Sequence, residues 1–401
     1  MKKSVLIITA VFLPEPVVSS KLSFDIANTL SKNNEVTVIS PRPSRPYMFQ
    51  FETKNNDLNF KHITTNSYCC PQSNIFGRFR ESYSFGKNCY QYIKKNKDSI
   101  KLIYANTWPL IAQFLTVKAA NKYNIPVILH IQDIYPESFT NKIPIVGRFF
   151  KFILLPIDKY IHSHATHIIA ISDKMKNYLA QTRNIHIEKL SVVKNWQDEE
   201  IFKYYRASNK HLRDNNKAFT FMYLGNIGPV AGVDLLIDAF AKADLKNARL
   251  IIAGSGSMKE TLQKKTKDLN LNTIKFWSVP DGQVPQIQEQ ADVMLLPVKT
   301  GAAMSSIPSK LPAYMFSKRP IIASVDYDSD TSEVIRNSDC GWVITPESVD
   351  ELSKLMKEIV VKTQDELLDI GNNGFNYSMK HFSKQGNLPK IIKIIENTAK
   401  G

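Results

Sequence analysis

Short runs of apolar residues alternate with longer stretches of helical periodicity along most of the chain. "SVLIITAVF" gives way to "SKLSFDIANTLSKN", where apolar residues recur every three or four positions, and then to "EVTVIS". "KLIYANT", "IPVILHI", "ATHIIAIS" and "KLSVVKN" continue the series. Such a run has no polar face to turn to water, so each predicts a strand buried on both sides. Helices between them predict a parallel sheet covered on both faces. Near residue 200 the pattern breaks into the polar "DEEIFKYYRASNKHLRDNNKA", which reads as a connection between domains. It restarts with "FTFMYLGNIG", "ARLIIAGSG", "TIKFWSV", "ADVMLLPV", "RPIIASV" and "CGWVITP". A chain of 401 residues also exceeds one comfortable core. The expected fold class is α/β, two doubly wound Rossmann-like domains facing a cleft, because ligands of such sheets bind beyond the carboxyl ends of the strands.

Composition narrows the class only a little. Hydrophobic residues at 43% and charged residues at 22% are those of a soluble globular protein. The four cysteines show neither a paired framework nor metal-ligand spacing, which suits reduced thiols in the cytoplasm. The opening "MKKSVLIITAVFLPEPVV" lacks a small-residue cleavage site and stops at Pro14-Glu15-Pro16, so it reads as a first buried strand and not as a signal peptide. No other run is long enough to cross a bilayer.

Charge changes the picture more. The net charge of +15 is uneven: residues 1–200 carry 26 Lys and Arg against 15 Asp and Glu, residues 201–401 carry 26 against 22. A basic first half suits an anionic lipid surface or a polyanion, with a solvated Lys- and Asn-rich surface as the alternative. Nucleic acid is not expected, because no basic stretch is interleaved with aromatics as a stacking platform. "IPIVGRFFKFILLPIDKY" mixes large apolar side chains with Arg148, Lys151 and Lys159, a composition that can lie in a bilayer interface or form a core helix. "FGRFRESYSFGKNCYQYIKKNK", with Arg78 and Arg80, is a second candidate.

The candidate chemistry is concentrated late in the chain. From Val293 to Val325 there is no Asp or Glu, while Lys299, Lys310, Lys318 and Arg319 are positive. In "SIPSKLPAYMF", Lys310 stands between Pro308 and Pro312 at the start of a short helical segment. With Ser306, Ile307, Ser309 and Leu311 it suggests a compact anion site, unless the lysine is simply solvated. In "YLGNIGPVAG" a strand runs into Gly225, Asn226, Ile227 and Gly228, where glycines let backbone amides approach a phosphate; a ligand-free turn is the alternative. "AGSGSMKE" offers Gly254 and Gly256, half of a dinucleotide fingerprint.

In the first half, "ILHIQDIYPES" ends a strand with His130, Gln132 and Asp133. Alternation puts His130 and Gln132 on one face, with Asp133 on the other unless the strand has already ended. His130 reads equally well as a satisfied core residue. "HSHATH" does not read as a metal site, since His162 cannot share a helical face with both neighbours. "VDYDSD" reads as the approach to a helix capped by Asp330 or Thr331.

Taken in order, "PEPVVSSKLSFDIANTL", "HIQDIYPES", "IIAISDKMKNYL", "VVKNWQDEEIF", "GNIGPVAGVDLLIDAF", "LIIAGSGSMKETL" and "SIPSKLPAYMFSKRPIIAS" resemble the family 4 glycosyltransferases of GT-B fold. The Gln-Asp, Asn-Trp-x-Asp and Pro-Ser-Lys-Leu signatures are similar to a WbuB-like subgroup of N-acetyl-L-fucosamine transferases. The resemblance covers nearly the whole chain. It implies an acceptor-side domain over 1–199, a nucleotide-sugar domain over 200–378 and a C-terminal helix, 379–401, returning to the first domain.

The implied activity is retaining transfer of an acetamido-deoxyhexose from a UDP-sugar to a lipid-linked (polyprenyl diphosphate) acceptor, in O-antigen or capsule synthesis. Lys310, Asp133 and Gln132 would be catalytic. The base would lie near Val279 and Pro280, and the acceptor near Val18, Ser19, Ser20, Lys21 and His130. No metal or other cofactor is implied, and the place would be the cytoplasmic face of the inner membrane. Several positions depart from the family. Asn226 and Ala231 stand where many members carry Arg and Lys, Ser305 and Ala313 where most carry glutamates, and Gln132 where His is commoner. These departures predict that Lys310 takes over the neutralisation of the diphosphate. A GT-B sugar-nucleotide epimerase and a non-catalytic sugar-binding relative are the alternatives.

Overall fold

The computed structural model of the protein describes residues 3–45, 57–70, 75–106, 109–137, 144–208, 218–280, 282–301 and 307–400. The chain divides into two compact units, residues 1–195 with 387–401, and residues 196–386. The resemblance implied boundaries at 199 and 379. The polar stretch after 195 is the reason for the first difference. It holds a helix, Glu199–Ser208, whose Phe202 is buried with its ring 5.8 Å from that of Phe316. The buried Glu199 carboxylate accepts from the amides of Lys384 and Gln385, at 2.7 and 3.1 Å.

In the first unit seven strands form one parallel sheet: β1 (Ser4–Ile8), β2 (Val36–Pro41), β3 (Lys61–Thr65), β4 (Ile100–Ala105), β5 (Val127–Ile131), β6 (His167–Ala170) and β7 (Leu190–Val192). Their spatial order is β3-β2-β1-β4-β5-β6-β7. Ile7 faces Val38 on one side and Tyr104 on the other, so β1 is central, and it is buried from Val5 to Ile8. β3 carried no apolar run. As "KHITT" on the sheet edge it pairs with one neighbour and needs none.

The second unit repeats the plan with β8 (Phe219–Leu224), β9 (Ala248–Ala253), β10 (Ile274–Trp277), β11 (Val293–Pro297), β12 (Ile321–Ser324) and β13 (Gly341–Ile344), in the order β10-β9-β8-β11-β12-β13, all parallel. In each sheet the direction of winding reverses once, between β1 and β4 and between β8 and β11. Connecting helices leave on opposite faces there, which opens a crevice beyond the strand ends. Gly225 follows β8 and Val298 follows β11; Asn106 follows β4.

Candidate functional site

Lys310 is placed by the chain that surrounds it. It begins the helix Lys310–Phe316, in which every residue from Leu311 to Phe316 is buried. A helix apolar all round is held by the core and not by its own propensity. Tyr314 fastens it to the end of β8: its hydroxyl donates to the Leu224 carbonyl at 2.7 Å and accepts from the Leu224 amide at 2.9 Å. That registers Lys310 against the next residues of the same strand. Its Nζ donates to the Tyr223 hydroxyl at 2.9 Å and lies 4.4 Å from the centre of the Tyr223 ring. The Tyr223 hydroxyl in turn donates to the Asn226 carbonyl at 2.6 Å. A Cβ on Gly225 would stand 3.5 Å from Nζ. Burial, which disfavours the charged amine, pushes the Lys310 pKa down from 10.5 to about 8.

The other three cations of the acid-free stretch lie elsewhere. Lys299 is 3.7 Å from Asp234, Arg319 donates to the Glu289 carbonyl at 3.0 Å, and Lys318 sits over the Phe375 ring. The four cations of the stretch therefore do not form one cluster. Lys310 alone of the four stands at the glycine loop.

The glycine loop is narrower than its sequence suggests. The Gly225 amide donates to the Ala253 carbonyl and that of Ile227 to the Ser255 carbonyl, at 3.0 and 2.8 Å. Within this loop the amides of Asn226 and Gly228 have no backbone acceptor among the described residues. Ile227 is fully buried. Gly254 and Gly256, at φ +134° and +153°, explain the half fingerprint: a Cβ would lie 2.0 Å from the Gly225 oxygen and 2.3 Å from that of Ile227. They bring one loop against the other and are not a second phosphate site. Leu311 has a fully buried side chain, and its amide donates to the Pro308 carbonyl at 3.0 Å. It packs, and leaves no group for a ligand. Ser309 is exposed; Ile307 and Pro308 are half-buried beside it. Ser306, like Ser305, lies outside the described residues. Val279 and Pro280 follow β10, half-buried and exposed respectively.

In the first unit a cavity of about 240 Å³ opens at the end of β5, lined by Ser19, Asn106, His130, Gln132, Asp133 and His162 among others. β5 ends at Ile131, so Asp133 is free of strand alternation and reaches the same space as His130 and Gln132. The Ser19 hydroxyl donates to Gln132 Oε1 at 2.8 Å. Val18, Ser20 and Lys21 do not join them: they stand in the first turn of the helix Val18–Leu30, where Ser20 is fully buried and Lys21 exposed.

A buried ion network holds this loop. Arg183 donates to Asp158 at 2.7 Å, to Glu137 at 2.6 and 2.9 Å, and to the Tyr135 carbonyl at 2.9 Å. Burial alone would raise the Glu137 pKa, but the Arg183 guanidinium holds it down at about 2. The histidines of "HSHATH" part company. His162 faces the cavity, His164 stacks on Tyr160 at 4.0 Å, and His167 bonds Ser191 at 2.8 Å. Near "VDYDSD" the helix cap is Ser329, not Asp330 or Thr331; its hydroxyl accepts from the Ser332 amide, while Asp326 accepts from Gly301.

Tyr223 and Asn106 escaped notice in the sequence, and His162 was weighed there only as a metal ligand. Tyr223 lies inside an apolar run, and nothing local marks it. Asn106 did carry a signal, a polar side chain directly after a buried strand at the point where the strand order reverses.

Two parallel, doubly wound sheets of this topology are the architecture of the GT-B class. The family model described as "Glycosyltransferase Family 4" matches residues 21–200, and "Glycosyl transferases group 1" matches residues 205–377. The chain belongs to the family 4 glycosyltransferases of GT-B fold. The probable glycosyltransferase WbjE of Pseudomonas aeruginosa is 22% identical over 245 residues, 58% of this chain and 59% of that protein. The Anabaena Alr3699/HepE crystal structure in complex with UDP is 17% identical, with a TM-score of 0.72 over 98% of this chain and all of that one. WaaG, a glycosyltransferase involved in lipopolysaccharide biosynthesis, is 14% identical, with a TM-score of 0.68 over 98% of this chain and 99% of that one.

Proposed function

We propose that the protein transfers a sugar, N-acetyl-L-fucosamine or another acetamido-deoxyhexose, from a UDP-sugar to a lipid-linked acceptor in surface polysaccharide synthesis. The observation that carries this reading is the Lys310 ammonium, 2.9 Å from Tyr223 and set against Gly225 where the second sheet reverses its winding. When the C1–O bond breaks, its electron pair leaves with UDP and negative charge grows on the diphosphate. Lys310 and the amides of Asn226 and Gly228 are preorganised to meet that charge, the kind of contribution that is commonly largest in catalysis. The acceptor hydroxyl oxygen forms the new bond to C1 and gives its proton to the departing diphosphate, with retention at C1. Asp133 and Gln132 orient the acceptor side.

WaaG, whose role is lipopolysaccharide biosynthesis, and HepE, which binds UDP, support the reading as structural relatives. A place at the membrane surface is supported by the helix Pro144–Ser163, which buries Leu154, Asp158 and Ile161 and leaves Phe149 and Phe152 63% and 80% exposed. On the helix Ile75–Asn96, Phe76 is 88% exposed. Solvent exposure of such side chains on basic helices is what an interfacial surface requires. Among the described residues no helix is long and apolar enough to cross a membrane.

The test is a mass-spectrometric screen of UDP-sugars against membrane lipid extract, with Lys310→Ala beside the wild type. A sugar-lipid product that forms with the wild type and falls at least about tenfold with the variant is expected. Equal turnover by both removes Lys310 from the mechanism. Conversion of the free donor with no acceptor present would instead identify an epimerase.

A further inference from the structure

Peptide planes decide which charges the glycine loop presents. All three peptides from Gly225 to Gly228 are trans, so in each the carbonyl and the amide point in opposite directions. The Gly225 oxygen is turned toward Gly254, where an added Cβ would meet it at 2.0 Å. The Ile227 oxygen accepts from the Met258 amide at 3.0 Å. The amides that follow them, those of Asn226 and Gly228, therefore point away from the second loop. The peptide between is reversed. Its amide, that of Ile227, donates to the Ser255 carbonyl at 2.8 Å, so the Asn226 carbonyl points outward with the two amides.

An outward carbonyl is the wrong group to show an anion. Successive N–H dipoles attract a phosphate, and a C=O between them repels it. The Tyr223 hydroxyl covers that oxygen. It donates to the Asn226 carbonyl at 2.6 Å and accepts from Lys310 Nζ at 2.9 Å. Its one proton is committed to Asn226, so toward Lys310 it can only accept. Burial pushes the phenol well above its usual range, which keeps that proton in place. One hydroxyl thus masks the group that would oppose an anion and seats an ammonium beside the two outward amides.

Packing does not ask for this hydroxyl. Phe219, Phe221 and Tyr223 alternate along β8 and share one face and one core, so an aromatic ring is what the core needs there. Tyr223 is fully buried, and its oxygen is the one addition to that row. Space has been left for it. A Cβ on Gly225 would lie 3.2 Å from the Tyr223 hydroxyl and 3.4 Å from Lys310 Cε, crowding both.

We infer that Tyr223 is the positioning residue of this anion site: its hydroxyl fixes Lys310 Nζ against the glycine loop and masks the Asn226 carbonyl, so that a diphosphate meets donors alone. In this role Tyr223 acts through Lys310 and Asn226. The inference rests on the glycosyltransferase reading only in taking the diphosphate to be the donor's.

The experiment titrates the full chain with UDP and, separately, with inorganic pyrophosphate, by calorimetry on both sides of about pH 8, where the Lys310 amine titrates. Tyr223→Phe should weaken both ligands at least about tenfold below that pH, as loss of a hydrogen bond to a charged group predicts. The alkaline fall in affinity should move to lower pH, because the ammonium has lost its acceptor. Tyr314, one turn along the helix from Lys310, is pushed up by burial as Tyr223 is, so neither phenol titrates in this range. In a Lys310→Met background Tyr223→Phe should cost a smaller factor, since the masking of Asn226 is all that remains to be lost. Lys310→Arg keeps the charge but spreads it over a planar guanidinium that the hydroxyl cannot seat in the same place. It too should bind at least about tenfold more weakly, and it carries the test should Tyr223→Phe misfold.

A Tyr223→Phe variant that binds like the wild type reduces Tyr223 to a core residue. So does one that weakens binding equally with and without Lys310 and leaves the alkaline fall in place. Normal binding by Lys310→Arg would show that charge without placement suffices, and would overturn the inference as well. Wild-type binding of pyrophosphate without UDP would overturn the nucleotide-sugar reading, and the same variants would then judge Tyr223 on pyrophosphate. Binding of neither ligand would remove the anion site and the inference with it.

Discussion

Lys310 carries its charge under strain of solvation. In the unfolded chain its amine titrates near 10.5, and in the protein near about 8. Between those values the unfolded state binds more protons, so stability rises with pH, and below about 8 the desolvation cost of the ammonium is felt in full. An anion needs the protonated form. UDP affinity, followed by calorimetry across this range, should therefore be full below about pH 7 and fall as pH rises through about 8. Lys310→Met removes a half-buried, poorly solvated charge, which should stabilise the protein by on the order of 1–3 kcal/mol at neutral pH and raise its melting midpoint by several degrees. The same variant should lose most of its affinity for UDP. A less stable Lys310→Met that still binds UDP normally would contradict both halves of the argument.

Two loops depend on neighbours far away in sequence. Gly256→Ala places a methyl group about 2.3 Å from the Ile227 oxygen, too close for either backbone to remain where it is. A displaced glycine loop loses its register with Lys310. We expect UDP affinity to fall with little change in acceptor-side binding, measured with the separate ligands. In the first unit, Arg183→Met takes from the buried Glu137 and Asp158 the guanidinium they share and leaves Glu137 only the partly exposed Lys151. Breaking such a network costs roughly 3–5 kcal/mol, which thermal denaturation will show. The sign with pH is fixed as well. Glu137, held at about 2, contributes its stability above its unfolded pKa of about 4.5. It loses that contribution as pH falls toward about 2, and Arg183→Met should flatten this acid limb. These loops were visible in the sequence as motifs; their partners were not.

For the whole molecule, the surplus of positive charge lies in the first half, but several of its cations are already engaged. Arg78 pairs with Glu81 at 2.8 Å, Lys151 with Glu137 at 3.4 Å, and Arg80 covers the Tyr68 ring. Membrane affinity should thus depend more on exposed aromatic side chains than on those charges. Phe149→Ser with Phe152→Ser should reduce binding to anionic liposomes at least about tenfold, as read by co-sedimentation, and leave turnover of a water-soluble acceptor intact. If both fall together, these residues act on the fold and not on the membrane.

The apolar runs by themselves determined that the chain forms two parallel sheets, because a strand buried on both faces has no other composition open to it. They also marked the glycine loop and Lys310, whose backbone demands are local. Only the tertiary structure decided which of four nearby cations meets that loop, that Gly254 and Gly256 serve packing, and that "DEEIFKYY" is a helix of the second unit. It alone brought Asn106, His130 and His162 around one cavity. Those outcomes turn on contacts between residues tens of positions apart, and such contacts leave no periodicity along the chain. Local spacing records what the backbone must do, and three-dimensional packing records which side chains meet.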